Sequence, residues 1–279
     1  MSAATIIHNL PWADYIQGGF LGSSALDEFP RMSREAWSAK HQEGNSYSDD
    51  SDSKAVALGS ALDCLVTDPL AWDEKFAVRP DGLDGRTKEG KAWAAEAGSR
   101  SILTADEHAQ VVEAHKRVMH AIKLDETINH GTARYQVTFR GEINGINVQT
   151  RPDIWIGETE RATILTDLKY VNSTNFDGFD RQFVTGRYFL QAGLFSRLYR
   201  DATGESVKIA FLLAESGTAT PRIREVAITA DVLSCAEAAV AMRCQEIADR
   251  REEAGGFVDR PEYSVIELPG WARAQIGLA

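Results

Sequence analysis

Asp153, Asp167 and Lys169 lie close together in the sequence and carry groups that can bind a metal ion and activate water. Side chains alternate between the two faces of a strand, so the spacing of Asp167 and Lys169 places both on one face. Two neighbouring carboxylates repel each other, and a hard divalent cation with oxygen ligands commonly neutralises them. Such a cation can bind a phosphate oxygen and activate water while Lys169 orients that water, which indicates phosphodiester hydrolysis.

Two extended segments joined by a turn would bring the two carboxylates together. β-branched and apolar residues predict a strand over Thr163–Lys169, and a second extended segment over Asn147–Ile156 contains Asp153. The residues between them, Gly157–Arg161, are typical of a turn. Pairing of the two segments in a hairpin would place Asp153 beside Asp167.

The Asp-X-Lys triplet is weak evidence when it is considered alone. At average composition it arises by chance about once in a chain of this length, and charged pairs on strands are usually solvated or form surface ion pairs. The ordered combination is more specific. It consists of Pro-Asp, a short turn, an apolar strand that ends in Asp-X-Lys, and then Gln191 on a predicted helix.

The order of these motifs resembles the PD-(D/E)XK nuclease superfamily. The matching motifs are Arg-Pro-Asp at 151–153, Asp-Leu-Lys at 167–169 and Tyr-Phe-Leu-Gln-Ala at 188–192. The sequence is most similar to the RecE-like branch, the exonuclease VIII type. This branch carries a Gly-Thr-Ala-Xaa-His-like helix upstream of its Asp-X-Lys motif, and the segment at 57–66 resembles that helix. The resemblance covers most of the chain, roughly residues 20–230.

This resemblance implies both a fold and an activity. The fold is of the α/β class with mixed α+β character, a restriction-endonuclease-like core in which a mixed central β-sheet is flanked by helices. The activity is that of a DNA exonuclease that depends on Mg²⁺ or Mn²⁺ and hydrolyses linear duplex DNA in recombination or end resection. The expected partners are DNA and a single-strand annealing or recombination protein, and the chain is expected to form a homo-oligomer.

The resemblance also assigns roles to individual residues. The predicted metal ligands are Asp63, Asp153, Asp167 and the main-chain carbonyl of Leu168. Lys169 is expected to assist the nucleophilic water, and Gln191 is expected to support the substrate. Asp153, Asp167, Lys169 and Gln191 together form the predicted catalytic set.

Three positions depart from the pattern of the family. Asp63 stands where relatives have a metal-binding histidine, Gln136 lies near the usual position of a glutamate, and Phe195 replaces a tyrosine but keeps its stacking surface. Aspartate remains an oxygen ligand for Mg²⁺ or Mn²⁺, whereas Gln136 offers only a neutral carbonyl. Two alternatives therefore stay open: a catalytically degenerate module that binds DNA or a recombination protein, and a metal-dependent hydrolase that acts on a nucleotide.

The charge of the chain is unusual for a protein that binds DNA. The 279 residues carry a formal net charge of −11, although affinity for the phosphate backbone comes largely from Lys and Arg. The distribution is uneven, because residues 131–200 contain nine Lys and Arg against seven Asp and Glu. That segment, which includes the Asp-X-Lys motif, therefore carries a net charge of +2, and the rest of the chain carries −13.

Cysteine spacing and hydropathy exclude several other classes. Cys64, Cys235 and Cys244 form no Cys-X-X-Cys pair, which argues against a structural zinc site, a four-cysteine iron-sulfur cluster and a disulfide framework. No apolar run approaches the length of a membrane span, and the first residues lack the pattern of a signal peptide. We therefore expect a cytoplasmic protein without a membrane partner.

The chain is expected to contain two regions. Residues 1–53 form a lead-in with short helices over Leu21–Phe29 and Ser33–Lys40 and an acidic, polar loop over Glu43–Ser53. Residues 54–279 form the nuclease-like domain. Its predicted helices are Lys54–Val66, Thr104–Lys123, Arg187–Tyr199 and Asp231–Glu253, and its further strands are Arg134–Arg140, Ser206–Ala214 and Ile223–Ile228. Thr104 and Glu107 match the capping-box pattern at the start of the second of these helices. Pro69–Arg100 is predicted as a loop with a short helix, and Asn144-Gly145 as a turn.

Overall fold

The computed structural model describes residues 4–17, 19–41, 54–124, 133–156, 163–185 and 188–252. The strands are β1 (Thr5–Ile7), β2 (Phe76–Val78), β3 (Ser101–Leu103), β4 (Ala133–Tyr135), β5 (Thr138–Ile143), β6 (Ile146–Thr150), β7 (Ile154–Ile156), β8 (Ile164–Val171), β9 (Lys208–Glu215) and β10 (Ile223–Ile228). The helices are α1 (Trp12–Gln17), α2 (Ser23–Glu28), α3 (Arg34–His41), α4 (Lys54–Thr67), α5 (Trp72–Lys75), α6 (Lys88–Ala97), α7 (Ala105–Leu124), α8 (Ser173–Asp177), α9 (Phe179–Thr185), α10 (Tyr188–Thr203) and α11 (Ala230–Glu252).

The central sheet has five strands in the order β10-β9-β8-β7-β4. β8 and β9 run parallel, whereas the other neighbouring pairs run antiparallel. Alternate side chains of β9 face two cores. Phe211 and Leu213 pack with α10 and α11, and Leu212 and Ala214 pack with α4 and α7. A strand covered on both faces is apolar along most of its length, and β9 is apolar from Ile209 to Ala214. The structure thus confirms the predicted mixed sheet flanked by helices.

Two of the predicted strands are each divided between two sheets. The prediction of one strand over Arg134–Arg140 is wrong, because β4 pairs with β7 in the central sheet whereas β5 pairs with β1 and β6 in a three-stranded sheet. The predicted segment Asn147–Ile156 is likewise divided into β6 and β7. The two breaks face each other, since the backbone N–H of Gln136 donates to the Asp153 carbonyl at 3.1 Å.

Local backbone preferences account for both breaks. Gln136 has a φ of 53°, in the left-handed region that residues other than glycine rarely adopt. Pro152, between β6 and β7, has no N–H to donate to a sheet ladder. Both chain segments therefore change sheets at the level of Asp153, and this junction determines where the Asp153 side chain lies.

Two local motifs are confirmed in the structure. Asn144 and Gly145 join β5 to β6 with φ values of 51° and 75°, the positive pair that a two-residue hairpin turn requires. At the start of α7, the Thr104 N–H donates to Glu107 Oε2 at 2.9 Å, and the Glu107 N–H donates to Thr104 Oγ1 at 3.2 Å. This is the reciprocal capping box that the sequence predicts.

The remaining predicted helices and strands of the domain appear as α4, α7, α10, α11, β9 and β10, with shifted ends. The start predicted for α10, Arg187, and the predicted turn Gly157–Arg161 lie outside the described residues. The predicted loop over Pro69–Arg100 also contains β2, which pairs in parallel with β3. Three-residue strands are too short to give a periodic signal in the sequence.

The N-terminal segment packs on the same core as the sheets. β1 pairs with β5, and Leu26 and Trp37 are fully buried. The two predicted helices are confirmed as α2 and α3, and the Ala36 N–H donates to Ser33 Oγ at 3.3 Å. The predicted loop over residues 43–53 lies outside the described residues, and the predicted boundary between residues 53 and 54 stays a prediction.

The contact between α10 and α11 predicts a cost for any side chain at Gly193. A Cβ atom there would lie 2.5 Å from the Ala236 carbonyl oxygen and 2.6 Å from its carbon. We expect Gly193→Ala to lower the free energy of unfolding by about 1–3 kcal/mol, measured by urea denaturation. Gly59→Ala on α4 is the control, because a Cβ there meets nothing within 4 Å. The control should gain about 0.5–1 kcal/mol. Equal stability of Gly193→Ala and the wild type would contradict this packing.

Candidate active site

An open cleft of about 620 Å³ lies where the N-terminal segment, α4, α10 and the ends of β7 and β8 meet. All of the predicted site residues line this cleft: Asp63, Asp153, Asp167, Leu168, Lys169 and Gln191. The structure therefore brings together side chains that the sequence separates by more than a hundred positions. Their roles in binding and catalysis remain predictions.

Asp167 and Lys169 lie on one face of β8 and form an ion pair. Asp167 is 3% exposed, and its Oδ2 lies 2.5 Å from Lys169 Nζ. The other carboxylate oxygen, Oδ1, accepts a hydrogen bond of 2.6 Å from Gln191 Nε2. Leu168, between them, points into the opposite core with α4 and α7. The alternation of β8 thus places the predicted carboxylate and amine on the cleft side.

Asp153 is held beside this pair by the hairpin of β7 and β8. Ile154 pairs with Thr166 in that hairpin, and the backbone N–H of Leu168 donates to Asp153 Oδ2 at 2.6 Å. The side chain of Asp153 thus accepts the hydrogen bond that the Leu168 N–H would otherwise donate to a main-chain carbonyl, at the point where β7 begins. This contact fixes the carboxylate next to the strand that carries Asp167.

Asp63 reaches the cleft from α4, one turn after Gly59. The amide Nε2 of Gln136 lies 3.4 Å from both oxygens of the Asp63 carboxylate and 3.3 Å from Asp153 Oδ1. The sequence suggested that Gln136 offers its carbonyl to a metal. Instead, its NH₂ group faces two carboxylates, because carboxylates only accept hydrogen bonds.

The charges in this cleft perturb one another. Burial and the nearby Asp167 carboxylate raise the pKa of Asp63 to about 6. Burial, Asp167 and Asp63 raise the pKa of Asp153 well above its ordinary value. Burial lowers the pKa of Lys169, but the carboxylates of Asp167 and Asp153 outweigh it and the net shift is upward. Lys169 is therefore charged, and it does not fully offset the three carboxylates.

The candidate ligand atoms are of the chemical type that binds a hard divalent cation. They are carboxylate and carbonyl oxygens, the ligands that Mg²⁺ and Mn²⁺ prefer. Asp167 Oδ2 is buried and, beyond its ion contact with Lys169, has no partner at hydrogen-bonding geometry. Among the described residues, no three His, Cys, Asp or Glu side chains already stand at metal-coordination spacing. In place of a cation, the Gln136 amide contacts Asp153 and the Lys169 ammonium contacts Asp167.

Two aromatic residues of α10 differ from expectation. Phe195 was predicted to keep a stacking surface near the site, but it is fully buried in the core. Tyr188, two turns earlier, lines the cleft instead, and Lys169 Nζ lies 4.8 Å from the centre of its ring. Its position three residues before Gln191, on the same helical face, was the sequence signal for this contact.

A mixed sheet flanked by helices, with two aspartates and a lysine at the β7–β8 hairpin, defines the PD-(D/E)XK nuclease class of fold. The chain belongs to the family described as a PDDEXK-like domain of unknown function (DUF3799), whose model matches residues 22–254. The predicted membership in the PD-(D/E)XK superfamily is therefore confirmed. The match begins within the N-terminal segment and includes all of the candidate site residues.

Two solved structures show how far this similarity extends. A presumed exonuclease from Eubacterium rectale superposes with a TM-score of 0.57 at 19% identity, covering 94% of each chain. At this identity the likeness shows a shared fold. An alkaline exonuclease from Laribacter hongkongensis is also similar, with a TM-score of 0.31, 15% identity and coverage of 61% of this chain and 85% of its own. No curated protein matches the sequence, and no helix in the described residues is long and apolar enough to cross a membrane.

The raised pKa of Asp63 predicts how metal-free stability depends on pH. A folded-state pKa of about 6, above the ordinary value of 3.8, means that the folded protein binds this proton more tightly than the unfolded chain. Stability should therefore fall as the pH rises from about 4 through 6. Asp63→Asn should flatten this fall in urea denaturation with a chelator present.

Asp68→Asn, at the exposed end of the same helix, is the matched control and should keep the wild-type pH dependence. A residual slope from Asp153 is expected in the Asp63 variant. An unchanged slope in Asp63→Asn would contradict the proximity of the carboxylates.

Proposed function

We propose that the chain is a divalent-metal-dependent DNA exonuclease that hydrolyses the phosphodiester bonds of linear duplex DNA. One observation carries this proposal: the Asp167–Lys169 ion pair lines the same open cleft as Asp153 and Asp63. A buried group of like charges is costly unless an opposite charge compensates it, and such groups occur most often at functional sites. Bound Mg²⁺ or Mn²⁺ would supply that opposite charge.

The candidate ligands of the cation are Asp63, Asp153, Asp167 and the Leu168 carbonyl. When bound, a divalent cation polarises a phosphoryl oxygen and lowers the pKa of a water. Lys169 stands 2.5 Å from Asp167, where its ammonium can orient the attacking water and offset developing negative charge. Gln191 holds Asp167 Oδ1 at 2.6 Å, so it fixes the carboxylate before substrate arrives.

The biological setting is proposed from similarity. The relative from Eubacterium rectale is described as a presumed exonuclease, and the motifs resemble the RecE-like branch. The description of that relative supports an exonuclease, and the resemblance to the RecE-like branch supports removal of nucleotides from DNA ends in recombination or end resection. A single-strand annealing or recombination protein as partner, and assembly as a homo-oligomer, are part of the same proposal.

A binding module without catalysis is the second candidate. One observation favours it: the Gln136 amide lies 3.4 Å from the Asp63 carboxylate and 3.3 Å from that of Asp153, so it bridges the two without a cation. Such a protein would keep the fold and the cleft and would bind DNA or a recombination protein. The intact Asp167–Lys169 pair favours the nuclease, because binding alone does not require it.

Degradation of end-labelled linear duplex DNA with Mg²⁺ or Mn²⁺ tests the proposal. Wild-type protein should release nucleotides from linear DNA and leave covalently closed circular DNA intact. Asp167→Asn and Lys169→Met should each lose activity by about a hundredfold or more, since they remove a ligand and the water-orienting group. Lys116→Met, which changes an exposed lysine on α7, should remain fully active.

The variants must be shown to be folded by their circular dichroism spectra. Nucleolytic activity that persists in both site variants would contradict the assignment of this site. Retained DNA binding by the wild type, without cleavage under either metal, would instead favour the binding module.

A further inference from the structure

Helix α1 contributes nothing to the core, yet side chains of the three-stranded sheet hold it in place. None of its residues is buried. Three side chains from β5, β6 and the residue after β6 donate to main-chain carbonyls of this segment. The bonds are Arg140 Nη2 to Asp14 O at 2.8 Å, Gln149 Nε2 to Tyr15 O at 2.8 Å and Arg151 Nη2 to Leu10 O at 2.9 Å. Core packing thus does not explain why α1 is fixed at the edge of the cleft.

The side chains that α1 presents to the cleft form a stacked group. The rings of Trp12 and Tyr15 lie 5.3 Å apart with an interplanar angle of 17°. The Arg151 guanidinium lies 4.3 Å from the centre of the Tyr15 ring and 5.8 Å from that of Trp12. Trp12 is nevertheless 58% exposed. We call Trp12, Tyr15 and Arg151 the aromatic ledge.

The aromatic ledge lines the same cleft as the candidate catalytic residues. Three described lysines and arginines line this cleft, and each already contacts another group. Lys40 pairs with Glu28, Lys169 pairs with Asp167, and Arg151 bonds to Thr138 and Leu10. The ammonium groups of Lys40 and Lys169 are therefore paired with carboxylates, whereas the partners of Arg151 are neutral and leave its charge uncompensated. The exposed indole of Trp12 supplies a different kind of contact from these cations.

A nucleobase fits the exposed face of Trp12. Every base has a π-face, so stacking on an aromatic side chain tolerates any sequence. Both faces of a base within a duplex are covered by its neighbours, whereas an unpaired base at a strand end has a free face. An exposed indole beside a phosphodiester-cleaving site would thus select ends and unpaired nucleotides.

Resting on the proposed function, we propose that Trp12 is a base-stacking residue that determines substrate specificity. An unpaired base of the DNA strand stacks on the aromatic ledge while the strand continues toward Asp153 and Asp167. The hydrogen bonds from Arg140, Gln149 and Arg151 hold the ledge at a fixed place relative to the two aspartates. The substrate class is single-stranded or frayed DNA ends of any sequence.

Steady-state cleavage of end-labelled DNA by Trp12→Ala, Trp12→Phe and Leu70→Ala proteins tests this role. Trp12→Ala should raise KM by about tenfold and change kcat little, because stacking contributes to binding. Trp12→Phe should restore most of the affinity because it retains a ring. Leu70 is 94% exposed and does not line the cleft, so its removal should change neither parameter.

A substrate whose terminal nucleotide lacks its base gives a second readout. Wild type and Trp12→Ala should bind this abasic end equally, because the stacking partner is missing. An unchanged KM in Trp12→Ala would overturn the inference while leaving the nuclease intact. A loss that Trp12→Phe does not rescue, with lower unfolding stability, would also overturn it and indicate a structural role. Wild-type protein that neither cleaves nor binds DNA would contradict the proposed function itself.

Discussion

The repulsion among Asp63, Asp153 and Asp167 is the interaction on which this cleft depends. Burial raises the pKa of Asp63 and of Asp153, and the nearby Asp167 carboxylate raises both further. The fold meets this cost with an ammonium from Lys169 and amides from Gln136 and Gln191. These partners reduce the repulsion, and the carboxylate oxygens that remain are of the chemical kind that a divalent cation prefers. Under the proposed function, the same repulsion would favour a bound cation and would lower stability in its absence.

The junction between the two sheets determines where these charges meet. Gln136 turns the chain through a left-handed conformation, and Pro152 interrupts the facing segment. The main chains of the two breaks are joined by the hydrogen bond from Gln136 to Asp153. Backbone strain at such positions is characteristic of functional sites. The same break that divides the sheets thus aims both the Gln136 amide and the Asp153 carboxylate into the cleft, while the second sheet carries the side chains that hold α1.

Sequence patterns predicted the parts of the site whose positions follow from the two-residue alternation of side chains along a strand. Asp167 and Lys169 share a face because β8 is a regular strand, and the β7–β8 hairpin brings Asp153 to it. The contact of Gln136 with two carboxylates was not predictable, because alternation continues through residues 134–140 and hides the change of sheet. Helix α1 was missed for a related reason. Because none of its residues is buried, its sequence shows no helical repeat of apolar residues. It is held by hydrogen bonds from residues that are distant in the sequence, such as Arg140.

Calorimetric titration of Mn²⁺ into the metal-free protein measures directly whether these carboxylates bind a divalent cation. We expect saturable binding to the wild type and binding at least about tenfold weaker in Asp153→Asn, which removes a charge but keeps the side-chain shape. An exposed control, Asp68→Asn, should bind as the wild type does. Absence of binding to the wild type, or equal binding to the Asp153 variant, would contradict the view that these carboxylates form a metal site.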